Sequence, residues 1–223
     1  MGAVIGQILT FGLGVAISPI PVIAAILMLL SPHARSTSVG FLLGWLVGII
    51  VPVIIFTALS SVLPESDPDA SHPIQGVIQI VLGVLLLLLA IREWAGRPRD
   101  GAEPTLPKWM AAIDSFTAAK AFGLGFVLAA VNPKNLLMSI GAGLAIGDAT
   151  LSIGETSVVL LIYLLLAAST VLVPVIGFLI AGDRLSHPLG ELRVWLTANN
   201  VTIMTILLLV LGVAVIGKGL ASF

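Results

Sequence analysis

Six stretches of this sequence are apolar over roughly the length that a bilayer crossing takes: residues 3–30, 39–63, 74–91, 118–147, 157–181 and 200–220. A spanning helix needs about 20 such residues, and in hydrocarbon only helices and closed barrels satisfy their own backbone polar groups. The expected fold is an all-α integral membrane protein of six transmembrane helices, forming one transmembrane domain over residues 1–223. Charged residues are 9% of the chain, against about 25% in a soluble domain. No Lys or Arg precedes Arg35, and the first apolar run is too long for the core of a signal peptide, so it reads as a retained first span. The chain has no cysteine, which excludes disulfides, thiolate metal sites and dithiol redox chemistry.

The cations are distributed unevenly. Arg35, Arg92, Arg97, Arg99, Lys108, Lys120, Arg184 and Arg193 fall in the connections after spans one, three and five, and only Lys218 falls on the other side. Glu65, Asp67, Asp69, Asp148 and Glu155 lie on the side poor in Lys and Arg. The positive-inside rule then predicts a multi-pass plasma-membrane protein with cytoplasmic loops at residues 31–38, 92–120 and 182–199 and with both termini outside. After the longest connection, residues 108–116 put Trp109, Ile113 and Phe116 on one helical face. They read either as a short interfacial helix or as the start of span four.

The two halves resemble each other. Phe11-Gly12-Leu13-Gly14 recurs as Phe122-Gly123-Leu124-Gly125, the Val51-Pro52-Val53-Ile54 run as Val173-Pro174-Val175-Ile176, and Val81-Leu82-Gly83-Val84 as Val210-Leu211-Gly212-Val213. The third match means little alone in so Val-rich a chain; three in the same order mean more. Repeats of three spans must be inverted relative to one another. The expected organisation is repeat one over about residues 1–95, a cytoplasmic linker over about 96–117, and repeat two over about 118–223. Interrupted helices at corresponding positions of inverted repeats point to a transporter's binding site. Here Ser18-Pro19-Ile20-Pro21 interrupts span one and Asn132-Pro133-Lys134-Asn135 interrupts span four, both expected near the midplane. Pro52 and Pro174 read as matched kinks that shape the bundle.

Lys134 is the cation left inside a span. An ionisable residue at bilayer depth is a functional-site hypothesis by default. The functional reading is a cation held for an anionic group that arrives with the substrate. Asn132, Asn135, Ser18 and Ser139 would supply neutral hydrogen bonds beside it, and Pro133, Pro19 and Pro21 the irregular backbone. The other reading is structural: a lysine carried uncharged, or bonded to carbonyls freed at Pro19, Pro21 and Pro133. On that reading Lys134→Met should be well tolerated.

No Asp or Glu lies deep in any span, so a hard divalent cation would lack its ligands. His33, His72 and His187 fall in loops, and no pair is placed for nucleophilic or acid–base catalysis. No enzymatic activity, metal, cofactor or nucleic-acid partner is expected. Gly40, Gly44 and Gly48 form a stripe that permits close helix packing, within the bundle or across a homodimer.

Three motifs carry a family resemblance: Ser18-Pro19-Ile20-Pro21, the Ser31-Pro32-His33-Ala34-Arg35 turn and the Asn132-Pro133-Lys134-Asn135-Leu136 run. With them the chain resembles the peptidoglycolipid-addressing and sulfolipid-addressing proteins of the lysine-exporter superfamily over essentially its whole length. The resemblance implies a six-helix inverted-repeat fold and export of cell-envelope glycolipids in actinobacteria. The cysteines of the superfamily's redox members and the intramembrane carboxylates of its metal exporters are absent here. The function expected is a transporter or lipid-moving component for an anionic or polar-headed envelope lipid, acting alone or with envelope lipid-export machinery. The alternatives are an exporter of a small amino-acid-like or carboxylate solute, and a non-transporting accessory subunit.

Overall fold

The computed structural model describes residues 1–60, 73–97 and 108–223. Its eight α-helices are α1 (Gly2–Ala16), α2 (Pro19–Leu29), α3 (Ala34–Ser60), α4 (Pro73–Ala95), α5 (Ala118–Ala130), α6 (Pro133–Gly147), α7 (Ile153–Ala181) and α8 (Ser186–Leu220). Short 3₁₀ turns occupy Lys108–Ser115 and Gly182–Leu185, and the described residues contain no strand. Two helix pairs are bent, α1–α2 by 55° and α5–α6 by 64°. Three continuous helical stretches are long and apolar enough to cross a membrane, or five if each bent pair is one span. This is therefore a helical membrane protein.

Proline sets both bends. Pro19 and Pro133 each stand at the first turn of the second helix of a pair, where the missing N–H has no helical partner to lose. Pro52 and Pro174, by contrast, sit inside α3 and α7 without ending them. The two breaks are not in the same register as the Phe-Gly-Leu-Gly motifs. Ser18 follows Phe11 by seven residues, whereas Asn132 follows Phe122 by ten, so about one helical turn separates the two alignments.

Between apolar helices in a membrane, small residues and close backbone approach replace the hydrophobic drive of water. The glycine stripe of α3 is used this way inside the chain. A Cβ on Gly40 or Gly44 would strike the carbonyl of Ala118 or Phe122, and one on Gly48 would meet Ala129 and Phe126. A homodimer would need another surface. The second close pair is α4 with α8. A Cβ on Gly83 would stand 2.7 Å from the Gly212 carbonyl, one on Gly212 3.0 Å from the Gly83 carbonyl, and one on Gly219 2.7 Å from that of Gly76. Packed among these pairs, α1, α2, α6 and α7 contribute the core residues Ile8, Ile23, Met138 and Val171.

The structure amends one sequence expectation and decides between the two readings left open for residues 108–116. Residues 182–199, expected as a loop, are mostly helix: α8 begins at Ser186, and Leu189 and Leu196 are buried on its inner face. The turn before it is made at Gly182, whose φ of +58° is the left-handed conformation that glycine adopts freely. Residues 108–115 form their own 3₁₀ turn and not the start of α5, which Thr117 caps separately. Met110 and Ile113 of that turn are buried, and the turn packs on α2. The acidic segment 64–69 and Arg99 lie outside the described residues.

Candidate functional site

The first break leaves carbonyls without helical donors. Pro19 and Pro21 lack an N–H, so the Val15 and Ile17 carbonyls four residues earlier have none to accept. The Ser18 N–H turns to Ala16 (2.8 Å), which takes the usual donor from Gly14 as well. Ser18 Oγ donates to the Val15 carbonyl at 2.7 Å. Lys134 of α6 serves the other two. Its Nζ donates to the carbonyls of Gly14 (2.5 Å) and Ile17 (3.0 Å) and to Ser18 Oγ (2.6 Å).

An ammonium has three donors, and all three are used. None of these acceptors carries a full charge. The favourable electrostatics come from the C-terminal end of α1, where the helix dipole places partial negative charge. One of the carbonyls that Lys134 binds, that of Ile17, is freed by Pro21; the one freed by Pro19 goes to Ser18.

The second break is assembled by its own side chains. Asn132 Oδ1 accepts the Lys134 N–H at 3.0 Å and caps α6. Pro133 opens α6. Asn135 Nδ2 donates to the Leu128 carbonyl near the end of α5 at 3.1 Å. Its Oδ1 stands 3.4 Å from Ser18 Oγ, which joins the two breaks. Lys134, Asn135 and Ser18 are 2%, 1% and 4% exposed.

The structure therefore brings Lys134, Ser18 and Asn135 together in one cluster over the buried Pro19 and Pro21. Asn132, half-buried, and Pro133, exposed, shape the start of α6. Ser139, also buried, lies farther along α6 and faces Tyr163 of α7. Sequence reasoning missed Thr170, whose Oγ1 donates to the Ala16 carbonyl at 2.6 Å and so ties α7 to the same helix end. The signal was there: Ser169-Thr170 is a polar pair within an apolar run. It also missed Tyr163, the chain's single tyrosine. A surface groove of about 730 Å³ on the N-terminal part of α8, with His187, Glu191, Arg193 and Trp195 among its lining, shares no residue with this cluster.

These features define a helical membrane protein with a lysine buried where two interrupted helices meet. The chain belongs to the family described as Sap, sulfolipid-1-addressing protein, whose model matches residues 8–221. Comparison with curated proteins and with solved structures gives no match.

Proposed function

We propose that this protein is a transporter, or a lipid-moving component, that exports an anionic or polar-headed envelope glycolipid across the plasma membrane. The observation that carries the reading is Lys134, a buried amine held only by neutral oxygens at the meeting of two helix breaks. Such oxygens can be exchanged for those of an anionic head group at little electrostatic cost. Family membership supports a lipid of this kind. So does the position of the breaks: Ile17 is 40% and Val131 62% exposed, so the closed cluster lies just beneath the outer surface of the bundle. The exporter-superfamily relation belongs to this proposal, as does a role free of catalysis, cofactor or metal. Partner proteins of an envelope lipid-export machine would bind outside the cluster.

The proposed architecture is six spans in two inverted repeats, with the breaks near the midplane and both termini outside. The helical stretch Ile153–Leu220 has 68 residues. At 1.5 Å per residue that is about 100 Å, over three times the hydrocarbon thickness. A reversal at Gly182 would make it two spans, α7 and α8, which with α3, α4 and the two bent pairs would give six. The neighbour relations support the inversion. The mates α4 and α8 pair with each other, as do α3 and α7; α3 flanks α5 and α6, and α7 flanks α1 and α2. Gly83 and Gly212, equivalent in the repeat alignment, touch each other directly, as residues on a pseudo-two-fold axis would.

The test is Lys134→Gln beside Lys134→Met. Glutamine keeps two donors for the α1 carbonyls and loses the charge. Transfer of a sulfated glycolipid between reconstituted vesicles should fall at least about tenfold, with the thermal midpoint close to that of the wild type. Methionine removes the donors too. The Gly14 and Ile17 carbonyls would be left bare, each costing about 1–3 kcal/mol, so Lys134→Met is expected to lower the thermal midpoint even if the lysine is only structural. Undiminished transfer by Lys134→Gln would remove the charge from the mechanism. No transfer by the wild-type protein on its own would favour the second reading, an accessory subunit in which Lys134 is a strut; the full use of its three donors within the chain is what speaks for that reading.

A further inference from the structure

Tyr163 of α7 is fully buried, at 0% exposure. Its hydroxyl lies toward Ser139 of α6, and no hydrogen bond of good geometry, to Ser139 or to another described residue, satisfies it. Other polar groups around the breaks are engaged: Thr170 on Ala16, Ser169 on Leu166, Asn135 on Leu128. An unpaired hydroxyl in an apolar interior is costly, and phenylalanine would fill the same space without that cost. The ring lies against Gly12 of α1, two residues before the Gly14 carbonyl that holds Lys134. Ser139 lies five residues beyond Lys134 on α6, about 7.5 Å along the axis.

We propose that the Tyr163 hydroxyl, with Ser139, is the second half of the binding site and hydrogen-bonds the hydroxylated part of a head group whose anionic group Lys134 engages. This rests on the reading of Lys134 given above and narrows its substrate class. The head group must carry an anion and, beside it, a hydroxyl or ester oxygen. A sulfated or phosphorylated sugar carries both groups. The lateral exposure of the breaks favours a lipid-borne sugar over a free one.

The experiment measures ligand-induced shifts in thermal midpoint for detergent-purified wild type, Tyr163→Phe and Lys134→Gln. The probes are galactosylceramide sulfate in mixed micelles, galactose 6-sulfate in solution, and phosphatidic acid, an anion without a sugar. Without ligand, Tyr163→Phe should melt at or above the wild-type midpoint, because the lost hydroxyl made no bond. Its apparent affinity for the sulfated glycolipid should fall about tenfold, while its response to phosphatidic acid stays unchanged. A response to galactose 6-sulfate as large as that to the lipid would assign the same chemistry to a free solute. Equal glycolipid affinity in Tyr163→Phe overturns the inference, and so does a lowered midpoint without ligand. If Lys134→Gln binds the glycolipid like the wild type, the parent reading falls; if it loses binding while Tyr163→Phe keeps it, only the present inference falls.

Discussion

At the scale of single residues, the first break is an exchange of donors. Two prolines remove N–H groups, and two side chains, Ser18 and Lys134, serve the carbonyls exposed by the break. Ser18 does double service, since it donates to Val15 and accepts from Lys134. Ser18→Ala is therefore expected to leave the Val15 carbonyl unpaired and to cost about 1–3 kcal/mol, read as a lowered thermal midpoint in detergent. Pro21→Ala acts in the opposite sense. It restores an N–H that competes with Lys134 for the Ile17 carbonyl, so it should stabilise the helix and impair transfer; unchanged transfer would show that the lysine's hold on Ile17 is incidental. The meeting of the two breaks at Lys134, Ser18 and Asn135 was legible in the sequence, because a lysine and paired prolines inside apolar runs have few physical explanations. The acceptors of Lys134 were not legible. They are backbone carbonyls of Gly14 and Ile17, and no side chain at those positions announces them.

At the scale of helices, glycine decides which pairs approach most closely. In α3, Gly44 lies against the backbone of Phe122, and any Cβ there would collide with it. Gly44→Val should separate α3 from α5 and sharply reduce the yield of folded protein. Gly123→Ala should have no effect beyond about 0.5 kcal/mol, since nothing lies within 4 Å of a Cβ there. Equal yields from both would deny the stripe its packing role. Hydropathy located these helices but mistook several of their ends. It began span five at residue 157, although Ser152 and Glu155 form a capping box that starts α7 at Ile153. It dismissed residues 186–199 as a loop because they are polar, although buried Leu189 and Leu196 lie at helical spacing. Polarity measures depth in the membrane, and helices continue past the hydrocarbon where their inner face still finds a partner.

For the molecule as a whole, the outstanding matter is orientation, and the absence of cysteine makes it accessible. A single cysteine at Ile153, which is 89% exposed, should react with an impermeant thiol reagent added to intact cells. One at Arg184, in the Gly182–Leu185 turn, should react only after the cells are opened. The opposite pattern would invert the topology drawn from the basic residues. The described part of the all-helical fold followed from apolar length alone, whereas the way the halves fit together did not. The Phe-Gly-Leu-Gly repeats and the helix breaks cannot be superposed together, and the weakest sequence match, around Gly83 and Gly212, is the one whose members meet.

Where glycines bring two helices backbone to backbone, no side chains remain between them to rearrange. The pairs α3–α5 and α4–α8 thus behave as stiff beams, because sliding one member past the other would drive carbonyls into each other. The joint at Asn132 is braced by α3, which also lies against the backbone of α6 at Gly143 and Gly147, so compliance is left to the joint at Ser18, which hydrogen bonds with Lys134 and Asn135 pin. If the molecule changes shape in a working cycle and Lys134 receives the head group as proposed, the hinge and the cargo site are the same atoms, and loading the site would loosen the joint that must move.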